Sequence, residues 1–471
     1  MTRFVVAAVL LPAAGFLAAA DPAGYPPPKT LGPVASYGAN VQRAMTLLAT
    51  STPEKRNTVR VLFYGQSITA QPWTAAVARD LRARFPFADL QIENRAIGGY
   101  GSNVLVRTAE ADLYPAYPDL LIFHVYGPVA EYEAIVRRVR ERTTADVLHA
   151  TDHIAPLLGE KLDEPTDPAR LTPADGHLWK NHVFLPGVSA RYGTELADVR
   201  GLWRQYIRDH RLSPSDLLAD ELHPNDHGGY VMAEVVKARL RHRPELPAAG
   251  WRDRVTTHAV GAGAKWENGT LTLPFDGNRV DLLFRPGAAG SPVGVRIDGK
   301  RPSQYPELFL ATRAYNVEPP EPKPILMRVG ATAPPVVEEW TLTATDFTDE
   351  GRRFKYTVSG SVTGADGAGD SAVPFVSKSG RVAIEPPDFH PVTLARAAQQ
   401  YKQSRLVVRW NVLPLFADTA TPPPARGPGL EAAVTVAQGL RPGRHVLELT
   451  GGPDSQLEAV RVFRPPLRAA E

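Results

Sequence analysis

Val59-Arg60-Val61-Leu62-Phe63-Tyr64-Gly65-Gln66-Ser67 is the stretch on which the reading of the fold turns. Six residues rich in β-formers end at a glycine, and a serine follows two positions later. A strand with one wet face alternates apolar and polar side chains. A strand covered on both faces carries apolar residues in succession. Residues 59–64 are of the second kind, as are residues 120–125, with shorter runs at 90–93 and 146–149. Between these runs the apolar residues recur at helical spacing, over 75–85, 129–142, 196–210 and 228–240. On the second of these, Val129, Tyr132, Val136 and Val139 share one face. Buried strands alternating with helices predict an α/β class with a doubly wound, flavodoxin-like, mostly parallel sheet over residues 57–245. Residues 154–179, polar and Pro-rich, read as a loop insertion near the site.

Outward from this core the pattern changes on both sides. After Pro244, short alternating segments appear at 271–273, 280–284, 293–297, 340–344, 354–358, 406–410, 445–449 and 459–463, punctuated by glycine and proline. They predict a β-sandwich, jelly-roll-like accessory domain over 246–471. Within it, 360–369 reads as a mobile loop and the Pro-rich 419–429 as a loop or hinge. On the N-terminal side, Arg3 precedes an apolar run over 4–20 broken by Pro12 and Gly15, and Ala18, Ala19 and Ala20 precede Asp21. This is the pattern of a cleaved signal peptide over 1–20, and it predicts a secreted or periplasmic protein. Residues 21–56 read as an exposed leader followed by a short helix at 40–50.

The chain has 471 residues, enough for two or three domains, and a formal net charge of +3. A balance so near neutral, without a dense Lys/Arg block, gives no basis for a nucleic-acid partner. No later stretch is apolar enough to span a bilayer, so no stable membrane insertion is expected. With no cysteine there is no disulfide, thiol nucleophile or cysteine-bound zinc. The oligomeric state cannot be read from the sequence.

Two short segments carry chemistry. Ligands in open α/β sheets bind beyond the carboxyl ends of strands, which is where Ser67 falls. A helix starting after Ser67 would aim backbone N–H groups at developing negative charge. A serine hydroxyl needs a base, and a histidine base needs an acid to fix its tautomer. Asp220-Glu221-Leu222-His223-Pro224 offers both within one short turn. Taken singly, Ser67 reads equally as a helix cap and the Asp–His pair as polar loop residues.

Together, Gly65-Gln66-Ser67, Asn94-Arg95-Ala96-Ile97-Gly98-Gly99-Tyr100-Gly101 and Asp220-Glu221-Leu222-His223 resemble the blocks of the SGNH/GDSL hydrolase family. The resemblance covers about residues 59–241. It implies Ser67 as nucleophile, His223 as base, Asp220 as its partner, and the backbone N–H groups of Ser67 and Gly99 as oxyanion donors. It implies no cofactor and no metal. Two departures stand out. Gln66 replaces the family's aspartate beside the nucleophile. In the third block, Tyr126-Gly127-Pro128-Val129 has Val129 where the family's asparagine gives a further oxyanion hydrogen bond. Candidates for a substitute donor or substrate contact are Asn103, His124, Tyr126 and Gln66.

The activity implied is that of an esterase, acting on O-acyl groups, most simply acetyl, of a polysaccharide or glycan. A broad-range lipase or short-chain esterase, a carbohydrate-binding protein with a decayed site, and a glycosidase on the same fold are the competing readings. The remaining features read as structural. His149, Asp152 and His153 read as ordinary loop residues, and Asp366 and Asp370 do not have calcium-loop spacing. Trp251, Trp266, Tyr305, Trp340 and Trp410 read chiefly as packing, with a sugar platform as the alternative.

Overall fold

Five parallel strands form the first sheet: β1 (Thr58–Gly65), β2 (Asp89–Asn94), β3 (Leu120–His124), β4 (Asp146–Ala150) and β5 (Glu195–Ala197). Their order is β2-β1-β3-β4-β5, the flavodoxin-like arrangement, in which ligands sit where the winding reverses, between β1 and β3. The computed structural model describes residues 24–30, 32–164, 167–401 and 405–468, so the segment read as a signal peptide lies outside the described residues.

Every residue of β3 and β4 is buried, which is why β3 runs apolar from Leu120 to Phe123. One face packs Val59, Val61 and Phe63 against α1 (Gln42–Ala49), α2 (Trp73–Arg84), α7 (Val199–His210) and α8 (Asp226–Arg239). The other packs Leu62, Tyr64, Leu121 and Phe123 against α3 (Ser102–Asp112), α4 (Val129–Arg142) and α6 (Leu185–Tyr192).

The sequence reading needs correction at several places. Residues 196–210 are not helical throughout. Glu195–Ala197 pairs with β4 as the edge strand, and the helix begins only at Val199, where Asp198 accepts from Gly201 N at 2.9 Å. Helix α3 had not been foreseen. The insertion at 154–179 is short 3₁₀ turns that run into α5 (His177–Trp179), a π-helical turn at Lys180–Phe184, and then α6. The described leader residues are largely exposed, as read, and are tied down where Tyr25 stacks on His227 at 3.9 Å and Pro26 O accepts from Tyr206 Oη.

The second half is antiparallel. Thr419–Ala420, Val293–Ile297, Arg444–Thr450, Thr270–Asp276 and Trp266–Glu267 form one sheet. Ala432–Gln438, Arg279–Phe284, Leu457–Phe463 and Val255–Ala259 form another. They enclose one core as a sandwich. Between Val293–Ile297 and Thr419–Ala420 the chain builds a separate six-stranded sheet with its own core, covered by α9 (Pro391–Tyr401). The stretch expected as one sandwich is thus a sandwich with a large insertion. Residues 364–369 of the expected mobile loop belong to Gly364–Asp370, a strand paired with Arg353–Gly360. Trp340 and Trp410 stack at 6.3 Å in the core of the inserted sheet, and Trp266 and Tyr305 pack against the sandwich core.

The inserted sheet docks on the α/β layer. Arg107 Nη1 donates to Asp388 Oδ1 at 2.6 Å, Arg313 Nη2 to Asp112 Oδ2 at 2.5 Å, and Met327 joins the core under α3 and α4.

Candidate active site

The end of β1 is set by close backbone approach. A side chain at Gly65 would put its Cβ 2.1 Å from the His124 carbonyl of β3, so only glycine fits. The chain then turns through Gln66 to Ala70, with Ala70 N donating to Gln66 O at 3.0 Å. The helix expected after the serine is α2, close to the bounds read for it. It starts at Trp73, and Ser67 sits on a single helical turn. That turn is pinned on three sides. Asn94 Nδ2 donates to Thr69 O (2.8 Å), Thr69 Oγ1 to His124 O (3.0 Å), and Trp73 Nε1 to Ile68 O (2.6 Å).

The second segment comes from the loop before α8. Ala219 N donates to His223 O at 2.8 Å, which closes a tight turn. Asp220 Oδ1 accepts from the N–H groups of Leu222 (2.7 Å) and His223 (2.6 Å), an Asx-type turn. Its Oδ2 lies 2.8 Å from His223 Nδ1, and His223 Nε2 lies 2.9 Å from Ser67 Oγ. A carboxylate only accepts, so Nδ1 carries the proton and Nε2 is free to accept from the serine hydroxyl. The backbone and imidazole hydrogen bonds from His223, with that from Leu222, hold the Asp220 carboxyl down at about 2. It is therefore ionised throughout the ordinary pH range. Asn225 caps α8 through Gly228 N at 3.0 Å and fixes where the loop ends.

The Gly-rich segment after β2 completes the constellation. A Cβ on Gly98 would lie 3.7 Å from Ser67 Cβ, so this backbone passes directly beside the nucleophile. Gly99 adopts φ +83°, the left-handed region that glycine tolerates. Among the described residues, neither Ser67 N nor Gly99 N donates to a protein acceptor. The site is open: Asp220 and His223 side chains are 57% and 33% exposed, and Gly99 is exposed.

The four candidates for a substitute donor fare differently. His124 and Tyr126 are buried, as is Gln66. His124 Nε2 lies 3.2 Å from Asp152 Oδ1, and Tyr126 Oη lies 3.4 Å from His153 Nδ1. Asn103 is exposed in the first turn of α3, with its Oδ1 folded back toward Gly101. Val129 begins α4.

The residues read as ordinary loop, His149, Asp152 and His153, are instead fully buried. Lys180 Nζ reaches Asp152 Oδ2 at 3.0 Å and Val125 O at 3.1 Å, and Asn181 Nδ2 reaches Asp152 Oδ2 at 3.1 Å. Burial pushes the Asp152 carboxyl up, but the Lys180 charge and the neighbouring imidazoles outweigh it and hold it well below the usual range. His153 Nε2 donates to Leu222 O at 2.7 Å, and burial lowers its pKa to about 4. The neutral ring therefore leaves Nδ1 to accept from Tyr126. This network supports the peptide bond that leads into His223. Glu221 O, which accepts from Leu157 N at 3.1 Å, and Pro224 O, which accepts from Gln71 Nε2 at 3.2 Å, anchor the same loop. Sequence reading missed Lys180 and Asn181, which carry no spacing signal.

No protein-family model and no curated protein matches the chain. Its backbone is similar to several solved structures. A two-domain esterase active on acetylated mannans is 15% identical, with 93% of this chain and 99% of that chain covered at a TM-score of 0.36. An acetylxylan esterase from Geobacillus stearothermophilus is 17% identical over 40% of this chain and 97% of its own (TM-score 0.33). An α/β hydrolase enzyme from the metagenome of Lake Arreo, Spain, is 18% identical over 40% and 98% (TM-score 0.31). Likeness at this level carries nothing about the reaction, which rests on the geometry above.

Proposed function

We propose that the chain is a serine esterase of SGNH/GDSL type that removes O-acyl groups, acetyl in the simplest case, from a polysaccharide or glycan outside the cytoplasm. One observation carries the proposal: Ser67 Oγ, His223 and Asp220 form a continuous hydrogen-bonded chain with steps of 2.9 and 2.8 Å. That order of hydroxyl, imidazole and carboxylate is the arrangement that activates a serine.

In the proposed cycle Ser67 Oγ attacks the ester carbonyl carbon while His223 Nε2 takes its proton. The N–H groups of Ser67 and Gly99 receive the oxyanion. His223 returns the proton to the departing sugar oxygen as the C–O bond breaks, leaving an acyl-serine. Water, deprotonated by the same imidazole, then releases the carboxylic acid and restores Ser67. Exposure of His223, Asp220 and Gly99 favours a polymeric, polar substrate over a lipid. The N-terminal apolar run supports export.

The test is acetate release from acetylated xylan, acetylated pectin and p-nitrophenyl acetate, with Ser67→Ala alongside. Release by the wild type that the variant lowers by at least about 10³-fold is expected. Equal release by both would remove Ser67 from the mechanism.

A further inference from the structure

Val129 leaves the oxyanion position short of one side-chain donor. The inserted sheet brings a cation to the Gly-rich segment. Its loop after Tyr315–Glu318 reaches across to the Gly-rich segment. Lys323 Nζ lies 3.3 Å from the position a Cβ would take on Gly99. Such a position is about 2.5 Å from the residue's own nitrogen, so Nζ and Gly99 N are at most about 5.8 Å apart. Two hydrogen bonds of about 2.9 Å each to one oxygen span that distance.

The loop is built to hold this place. Tyr100, next to Gly99, donates its hydroxyl to Pro324 O, and its ring lies 4.4 Å from that of His390. Asn316 Nδ2 donates to both Lys323 O and Glu321 O at 2.7 Å. The ammonium itself is left over. Glu321, whose charge acts on it, is paired with Arg396 and accepts the Lys323 backbone N–H at 3.2 Å. Among the described residues, Lys323 Nζ has no ion-pair or hydrogen-bond partner. Burial and the Arg396 charge lower its pKa, Glu321 opposing. Such a cation gains most when negative charge develops beside it.

We propose that Lys323 is a catalytic residue of the esterase: its ammonium binds the acyl oxygen together with the Gly99 N–H, supplying the contact that Val129 does not. The inserted β unit then completes the active site. This rests on the esterase reading. The Lys323 contact is made in the transition state and not equally in the ground state, so its loss lowers kcat and leaves KM little changed.

The test compares wild type, Lys323→Met, Lys323→Arg and Ser67→Ala in two assays: p-nitrophenyl acetate turnover, and the rate of covalent labelling of Ser67 by a fluorophosphonate, whose phosphoryl oxygen occupies the same position. Lys323→Met is expected to lose about 10²–10³-fold in both, with an unchanged melting temperature. Lys323→Arg is expected to recover at least about tenfold of that loss, because it keeps the charge. The alkaline fall of kcat in the wild type, set by Lys323 among Arg396, Glu321 and His390, is expected to vanish in Lys323→Arg. Wild-type rates in Lys323→Met would overturn the proposal and leave the esterase standing. A wild type that neither hydrolyses nor labels would overturn both. Labelling without hydrolysis would overturn the esterase reading and, with it, the catalytic role of Lys323.

Discussion

Asp220 uses its two oxygens for different tasks. One accepts two backbone N–H groups and shapes the turn, while the other fixes the His223 tautomer. Asp220→Asn keeps the first role but offers an amide where the imidazole needs an acceptor, so kcat is expected to fall by about 10²–10⁴-fold with little loss of folding. Because the Asp220 carboxyl is held down to about 2, it stays ionised on mild acidification. The acid limb of kcat/KM is therefore expected to be first order, with no proton taken up by Asp220. A limb steeper than first order would show a second essential group. The residues of this chain of contacts were legible because each belongs to a local pattern: a serine after a buried strand, an Asp and a His in one turn, a Gly-rich segment. Lys323 was not, since Gly99, which its ammonium approaches, lies in a different layer and no local spacing links them.

At the scale of elements, burial conceals two histidines, His149 between Tyr132 and Thr194 and His153 under the His223 loop. His149 and His153 are fully buried, and burial lowers their pKa values to about 3 and about 4. A depressed histidine is neutral in the fold and binds a proton only on unfolding. Its contribution is full above the unfolded value near 6.5 and is lost as pH falls toward the folded value. Each of the two is expected to cost about 1.4 kcal/mol of stability per pH unit between about pH 6 and pH 4. Urea unfolding across that range measures it. His149→Gln, placed between Tyr132 and Thr194, is expected to flatten the slope by about one proton; an unchanged slope would contradict this. Strands β1, β3 and β4 were legible because their apolar runs have no other use. The three-residue β5 was absorbed into a helix because it is too short to show a period. Helix α3 was missed, although Val104, Leu105 and Ala109 form its buried stripe.

At the scale of the molecule, the sequence marked the change from α/β to antiparallel β near residue 245 but not the division of the second half. One sandwich and one inserted sheet have the same alternation. Only pairing across more than a hundred residues separates them, as between Val293 and Ala420. The halves share buried contacts: Met327 sits in the α/β core, Arg254 Nη1 reaches Asp146 Oδ1 at 2.8 Å, and Tyr117 Oη reaches Asn278 Oδ1 at 2.9 Å. Calorimetry is therefore expected to show one cooperative transition for the chain, and two separated transitions would contradict this coupling. The central claim is that this fold brings Ser67 to an acyl group as its nucleophile. The most direct test is a brief incubation with p-nitrophenyl acetate, an acid quench, and mass spectrometry of the peptides. The account predicts one acetyl group on the peptide that contains Ser67, lost on longer incubation and absent in Ser67→Ala. Ester hydrolysis that proceeds with Ser67 unmodified at every time point, and unimpaired in Ser67→Ala, would contradict it.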